Sequence, residues 1–435
     1  MTRAVVIGGG LAGVGSAVAL GKAGISTQLV DRNDYHQFQP LLYQVATSQL
    51  PARDVARPLG AIFDHLPAVE VVVSEVGEAD LDAKTLRLAD GRTLSGDFLV
   101  LAAGARANFF GIPGAAEHAF PLYSVVDAER LRLRLQDLLK ASRDTADGSA
   151  DTLDILIVGA GPTGVETAGA VAELLAAMKI EQAGARPAHV RIVDRGHVLL
   201  PQFSKKAHSY AMKQLTKRGV EPRLGVGVTE VREDSVQLDD GTTLPAQIVV
   251  WGGGESAATL AAAAGDRTGR GGRVDVKPDL SVAGFSGVYA VGDVANITTT
   301  DDGALPQLGS VAQQSGTWAA ANILREMKGE ATRPFSYKDK GIMAMIGRNA
   351  AVAEVGKHRH QVDGPVAFAA WLGVHAMLLS GGQSKTDAFL SWAWDYFDRD
   401  HASTLANQSE PQRIAWGDPR AYEPHINIDA APVEG

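Results

Sequence analysis

Ala4-Val5-Val6-Ile7-Gly8-Gly9-Gly10-Leu11-Ala12-Gly13 stands near the start of the chain, and Ile155-Leu156-Ile157-Val158-Gly159-Ala160-Gly161-Pro162-Thr163-Gly164 repeats its pattern far downstream. Each is a run of apolar β-formers closed by a glycine fingerprint. In such a strand-turn-helix unit the first glycine makes the tight turn. The second lets a pyrophosphate approach the backbone, and the third lets helix pack on strand. The phosphates then rest on a helix N-terminus, where unpaired N–H groups and the macrodipole favour negative charge. Both copies have the required context, because Ala12 to Lys22 and Val165 to Met178 are rich in alanine, leucine and valine at helical spacing. Each also has an acid at the end of the next strand, Asp31 after Gln28-Leu29-Val30 and Asp194 after Val190-Arg191-Ile192-Val193, placed to accept ribose hydroxyls. A chain with two such sites can hold two dinucleotides face to face, which points to electron transfer between them.

Composition narrows the chemistry. The 435 residues allow two or three domains, 45% hydrophobic content is ordinary for a globular chain, and a net charge of −9 disfavours nucleic acid as a partner. There are no cysteines. Disulfides, thiolate metal sites and a redox dithiol relay are thereby excluded, so an electron acceptor must collect directly from a cofactor. No metal site is expected. The first strand begins so close to Met1 that no signal sequence is expected, and no stretch of about 20 apolar residues offers a membrane span. A cytoplasmic protein, or one bound at the inner face of a membrane, is the expectation.

Along its length the chain reads as one dinucleotide unit interrupted by another. Asp97-Phe98-Leu99-Val100-Leu101-Ala102-Ala103-Gly104 is a buried strand ending in small residues, and Ile112-Pro113-Gly114 is a turn and crossing point. The second unit contains a hairpin signal at Asp239-Asp240-Gly241 and a strand at Ile248-Val249-Val250-Trp251. Gly287-Val288-Tyr289-Ala290-Val291-Gly292-Asp293 then returns to complete the first. The expected class is α/β, with two Rossmann-like dinucleotide-binding domains, one inserted in the other, and a C-terminal helical region. The expected boundaries are 1–112 with 281–330 for the first domain, 113–280 for the second, 331–403 for a membrane-interface or dimerisation region, and 404–435 for a polar tail.

Four segments together carry a family resemblance: Val30-Asp31-Arg32-Asn33-Asp34-Tyr35-His36 with Phe38-Gln39-Pro40-Leu41-Leu42-Tyr43-Gln44-Val45-Ala46-Thr47, the second fingerprint with Val165-Glu166, Val291-Gly292-Asp293, and Trp392-Ala393-Trp394-Asp395-Tyr396-Phe397. In this combination, from residue 1 to about 400, the chain resembles type II NADH dehydrogenase, the single-subunit, non-proton-pumping NADH:quinone oxidoreductase. The resemblance implies FAD at the first fingerprint and NADH at the second. Gly8, Gly10 and Gly13 would cradle the FAD pyrophosphate, Asp31 its adenosine ribose, and Asp293 the ribityl chain or the flavin-side phosphate. Independently, a Gly-Asp at a strand end before a helix around Val311 to Leu324 offers an acceptor for hydroxyls and a helix N-terminus for charge developing on a flavin. The plain alternative for Asp293 is a helix cap.

At the second site Gly159, Gly161 and Gly164 would take the NADH pyrophosphate and Asp194 the ribose. Asp194 favours NADH, although Arg195 could swing toward a 2′-phosphate, which leaves NADPH open. Glu166 matches the acid that the family places at the helix start near nicotinamide and flavin; the alternative is a surface carboxylate drawn by the helix dipole. The mechanism follows from the cofactors, with hydride passing from nicotinamide to flavin and two electrons onward, the protein supplying position and electrostatics.

The acceptor end departs from the family pattern. Where the family has Ala-Gln-x-Ala-x-Gln along its quinone tunnel, this chain has Gly309-Ser310-Val311-Ala312-Gln313-Gln314. Gln314 is kept and Ser310 replaces the first glutamine. Gln313 lies about 300° around the helix from Ser310, on a neighbouring part of one face; the plain alternative is that both glutamines are helix-surface polars. Lys340, in Asp339-Lys340-Gly341-Ile342-Met343-Ala344-Met345-Ile346-Gly347, is a candidate near flavin or quinone, or a solvated loop lysine. Val366 to Leu379 is a nearly all-apolar helical run, with His375 expected as an interior or interface residue. The aromatic segment from Phe389 to Phe397 would pair with it at a membrane interface, at a homodimer contact or in the core. Asp387, Asp395, Asp398 and Asp400 around that segment weaken its attraction to anionic lipid. The leading function is NADH:quinone oxidoreduction. A soluble NAD(P)H-dependent flavin reductase with a non-membrane acceptor and a redox-sensing flavoprotein with little turnover remain as alternatives.

Overall fold

The computed structural model describes residues 2–144, 152–181, 187–299, 303–356 and 358–378. Two five-stranded parallel sheets organise it. The first runs in the order Val288–Ala290, Phe98–Leu101, Arg3–Ile7, Ser26–Asp31, Val69–Val73, and the second in the order Ala119–Pro121, Ile248–Trp251, Leu153–Val158, Ala188–Asp194, Val220–Leu224. In both, the strand before the glycine fingerprint is central, with its sequence successor on one side and a much later strand on the other. That reversal is the switch point at which open α/β sheets bind ligands, beyond the carboxyl ends of the strands. The residues suit the position: every residue of Leu153–Val158 is buried, as expected of a parallel strand covered on both faces.

The chain is therefore two Rossmann-like units, one inserted in the other. It leaves the first sheet after Leu101 and rejoins it at Val288, since Ala290 pairs with Leu101. The outgoing segment Ala105–Ala107 and the segment Glu255–Ala257, which follows the second sheet's Ile248–Trp251, form an antiparallel ladder with Ala107 opposite Glu255. At the crossing, Gly114 has φ of 70°, and a Cβ there would fall 1.9 Å from the Val231 carbonyl oxygen. A side chain does not fit.

The return helix Gly309–Met327 lies along the first fingerprint helix Leu11–Lys22. Close approach depends on Gly316, whose Cβ would meet the Ala12 carbonyl oxygen at 2.1 Å. The Ser16 hydroxyl donates to the Gly316 carbonyl at 2.9 Å and locks the crossing. Leu11 meets Gly309, so the two helix N-termini sit side by side. This helix is longer at both ends than the spacing predicts.

Beyond it, Ile342–Gly347, Ala350–Val355 and His360–Asp363 form an antiparallel sheet. The first of these strands starts at Ile342, after a turn in which Asp339 accepts the Gly341 N–H at 2.8 Å. The sheet lies on the second fingerprint helix Pro162–Glu181, where a Cβ at Gly169 would fall 2.1 Å from the Ile346 carbonyl oxygen. The final described helix, Gly364–Leu378, buries Ala367, Trp371 and His375, one face at four-residue spacing. It begins two residues earlier than its apolar run suggests. The aromatic segment Phe389 to Phe397 and the tail from 404 lie outside the described residues.

Candidate active site

At the first fingerprint Gly8 has φ of 106°, and its Cβ would stand 2.3 Å from the Ala102 carbonyl oxygen. A Cβ at Gly13 would stand 1.8 Å from the Gly8 carbonyl oxygen, whereas Gly10 faces open space. The loop is braced from both sides. Asp31 Oδ2 accepts the Gly9 N–H at 2.6 Å and Oδ1 accepts the Asn33 N–H at 2.7 Å. His36 Nδ1–H donates to the Gly9 carbonyl at 2.8 Å, and burial lowers its proton affinity, which keeps the ring neutral. Burial also raises the Asp31 carboxyl, against the pull of those two N–H groups.

The second fingerprint reproduces this geometry. Gly159 has φ of 107° with the Gly252 carbonyl oxygen 2.3 Å from its Cβ position, the Gly164 Cβ would lie 1.8 Å from the Gly159 carbonyl oxygen, and Gly161 is open. Asp194 Oδ2 accepts the Ala160 N–H at 2.7 Å, and Oδ1 accepts the Gly196 N–H at 2.5 Å. Arg195 lies over Gly227. Neither fingerprint helix has an acidic residue in its first turn, and no side chain caps Leu11–Lys22. Each loop thus offers backbone N–H groups around a gap where glycine leaves room, which is the donor set a pyrophosphate requires. Both cradles fit a dinucleotide.

Glu166, the fifth residue of the second fingerprint helix, is buried rather than on the surface. Its Oε1 accepts the Met345 N–H at 3.0 Å, and the Trp371 side chain lies against the same carboxyl. Burial pushes the carboxyl up to about 8, so it is protonated at neutral pH. The fully buried Tyr43 adjoins it, with its hydroxyl on Met345 Sδ at 3.4 Å and accepting from Gln44 Nε2 at 3.2 Å. Burial and the nearby Glu166 raise that hydroxyl well above its ordinary range. His375 stacks on Trp371 at 3.8 Å between centroids and bonds the Trp371 carbonyl through Nδ1. Burial lowers it to about 4, a neutral interior histidine.

A second acidic group forms around Asp293. That half-buried residue is pushed up to about 6 by desolvation, with Arg273 pulling the other way. Glu255, although exposed overall, has a carboxyl crowded by protein and repelled by Asp293, and rises to about 7. Tyr123 rises above its ordinary range through burial and the charges of Asp293 and Glu255. Its hydroxyl accepts the Ala105 N–H at 2.8 Å, on the ladder between the two units. The Gly292 N–H donates to Ser315 Oγ at 3.0 Å, which ties the Gly-Asp turn to the return helix. Glu255, Tyr123, Arg273 and Trp371 escaped the sequence reading. For Glu255 a signal existed: Gly252-Gly253-Gly254 after a buried strand marks close backbone approach as the fingerprints do.

The acceptor candidates are placed differently. Gln314 bridges to the backbone of Lys338, donating from Nε2 to its carbonyl at 3.1 Å and accepting its N–H at 3.0 Å. Ser310 Oγ pairs with the Tyr337 hydroxyl at 2.8 Å. Gln313 and Lys340 are exposed. Among the described residues no cluster could hold a metal ion, and no helix is long and apolar enough to cross a membrane.

Two dinucleotide cradles joined by a short ladder, with carboxyls of raised proton affinity beside them, define an oxidoreductase of the two-nucleotide class. Residues 2–316 match the family model described as pyridine nucleotide-disulphide oxidoreductase. The chain is 34% identical over 412 residues to the type II NADH:quinone oxidoreductase Ndh of Mycobacterium tuberculosis, covering 90% of this chain and 87% of that one. It is 30% identical over 372 residues to the type II NADH:quinone oxidoreductase of Staphylococcus aureus, covering 81% and 89%. Among solved structures, NDH2 from Plasmodium falciparum in complex with NADH aligns with a TM-score of 0.83 at 17% identity, over 91% of this chain and 98% of that one. The sulfide:quinone oxidoreductase of Aquifex aeolicus aligns with a TM-score of 0.72 at 18% identity, over 92% and 96%. The chain belongs to the type II NADH:quinone oxidoreductase family.

Proposed function

We propose that this protein oxidises NADH through bound FAD and delivers the electrons to a quinone, without pumping protons. The observation that carries the reading is the duplicated cradle in a chain with no sulfur relay. The first cradle, with Gly8, Gly10, Gly13, Asp31 and Asp293, is assigned to FAD, and residues 1–112 with 281–330 to its domain. The second, with Gly159, Gly161, Gly164 and Asp194, is assigned to NADH, within residues 113–280. When bound, the flavin supplies a two-electron acceptor for hydride and a donor to quinone.

The chain's own residues do the rest. Asp31 and His36 hold the first loop in its receptive shape from opposite sides, and Asp194 does the same for the second through the Ala160 N–H. The balance NADH + H⁺ + quinone → NAD⁺ + quinol requires one proton from solvent. Glu166 carries a proton at neutral pH and is assigned to deliver it, held in aim by Met345 and Trp371. Gln314 fixes the Tyr337-Lys338 strip against the return helix, and Lys340 is assigned to the acceptor side by its place two residues on.

Peripheral contact with the inner face of a membrane belongs to this reading, and a homodimer through the same region is compatible with it. The outer face of Gly364–Leu378 supports contact, with Val366 and Met377 each 69% exposed. A different acceptor is favoured by one observation, the commitment of Ser310 to Tyr337 and of Gln314 to Lys338. Both readings meet one experiment. Purified protein should be yellow, bleach anaerobically with NADH and recolour with a short-chain quinone. Recolouring only with other oxidants supports the second reading, and a colourless chain that takes up no FAD overturns both.

A further inference from the structure

Phe109 and Phe110 are adjacent but treated oppositely. Phe109 packs on Trp251 with ring centroids 5.5 Å apart, whereas Phe110 is 60% exposed. Phe110 also adopts φ of 54°, a left-handed backbone that a bulky side chain disfavours. Its neighbours hold it there. Asn108 Oδ1 accepts the Phe110 N–H at 2.8 Å, Trp251 Nε1 donates to the Asn108 carbonyl at 2.8 Å, and the Asn108 N–H donates to the Gly254 carbonyl at 3.0 Å. The local structure therefore turns an apolar ring outward and fixes it.

The place where it is fixed is informative. A Cβ at Gly254 would fall 2.7 Å from Phe110 Cζ and 3.0 Å from Cε2, so the ring lies directly over that glycine. At the other end of the same glycine run, the Gly252 carbonyl oxygen touches the second cradle, 2.3 Å from the Cβ position of Gly159. The run leads into Glu255, whose carboxyl is coupled to Asp293 on the flavin side. A dinucleotide with its pyrophosphate on Gly159–Gly164 and its reactive ring toward Asp293 would pass along this run. Three glycines provide it with backbone alone. The group nearest to a Cβ at Gly254 is the Phe110 ring, a flat apolar surface of the kind that planar heteroaromatics pack against.

We propose that Phe110 is a binding determinant for the pyridine nucleotide, covering its nicotinamide-ribose half over Gly252–Gly254. This rests on the assignment of NADH to the second cradle. Aromatic contacts of this kind correspond to about a three- to tenfold change in affinity. The test is anaerobic stopped-flow bleaching of the FAD-loaded protein at increasing NADH, with wild type beside Phe110→Ala, Phe110→Tyr and Phe110→Gly. Phe110→Ala should raise the Kd for NADH about three- to tenfold and change the limiting rate far less, with FAD content and quinone KM unmoved; Phe110→Tyr should restore affinity. Phe110→Gly should weaken NADH binding while thermal stability holds or rises, because glycine relieves the left-handed backbone. A scaffold role would move both together. An unchanged Kd in Phe110→Ala, or a change confined to quinone KM, overturns the proposal and leaves the cradle assignment standing. A wild-type flavin that NADH fails to bleach overturns the assignment and the proposal together.

Discussion

Replacing Glu166 by Gln isolates the electrostatic consequence of burying a carboxyl beneath Met345 and Trp371. The group rises from an ordinary 4.5 to about 8. Each tenfold step in proton affinity is about 1.4 kcal/mol, so ionising it in place costs at most on the order of 5 kcal/mol, and relaxation of the site brings the expected figure to roughly 2–5 kcal/mol. Between pH 4.5 and about 8 the folded chain holds a proton that the unfolded chain has released. Stability from this residue is therefore complete below pH 4.5 and declines as pH rises to about 8. Glutamine keeps the shape and an acceptor for the Met345 N–H but cannot ionise. With an unfolding entropy of about 2.1 cal/mol/K per residue, a chain of 435 residues converts the difference to roughly 2–5 °C in Tm. Melting followed from pH 5 to 8.5 should give matched curves at the acid end and a variant more stable by that amount at the alkaline end. Because the variant has lost the exchangeable proton, quinone turnover should fall while bleaching by NADH persists. Parallel melting profiles across the whole range would refute the reasoning, since they would mean that the wild-type carboxyl never pays for its burial.

The two cradles are separable by matched substitutions. Gly13→Ala and Gly164→Ala each drive a methyl to 1.8 Å from a carbonyl oxygen of their own loop. The first should lose FAD on gel filtration, and the second should keep FAD but weaken NADH more than about tenfold in a bleaching titration; the opposite pattern would reverse the assignments. Ser310→Gln removes the contact with Tyr337 and restores the amide found in the family's pattern, so KM for a short-chain quinone should fall several-fold with NADH kinetics unmoved. Identical quinone kinetics would remove Ser310 from acceptor choice.

How much of this was legible depends on whether a requirement is local. Gly8 and Gly159 must be glycine because their own φ values and the carbonyl oxygens in front of them forbid a side chain, and a motif states such a need within ten residues. The two-unit architecture followed from that repetition. Asp31 and Asp194 were legible as acids at strand ends, but their bonds to the Gly9 and Ala160 N–H groups were not. The depth of Glu166 was illegible for a different reason. Its position in the helix allowed a surface carboxylate equally well, and its burial comes from Met345 and Trp371, which only tertiary packing brings over it. The coupling of Glu255 to Asp293 likewise crosses between the two units. Helix ends moved by two or three residues because termini are set by what they pack against.

The ends of the helices complete the case for ligands of negative charge. A missing N-cap costs a helix about 0.5–2 kcal/mol, and this chain has the means to provide one: Ser204 accepts the Ala207 N–H at the start of Lys205–Lys217. Yet the helices that begin at Leu11 and Gly309, side by side, have neither a side-chain cap nor an acid in the first turn, and the one that begins at Pro162 has no acid there either. A carboxylate in any of these places would satisfy the free N–H groups and repel a phosphate. Leaving them bare stabilises nothing in the empty protein. It becomes favourable only when an anion arrives, at which point the N–H groups, the dipole and the open space at Gly10 and Gly161 act together. Nucleotide binding and the stability of these helix starts are thus one equilibrium, so the protein gains stability from its ligands with the logarithm of the ratio of their concentration to Kd.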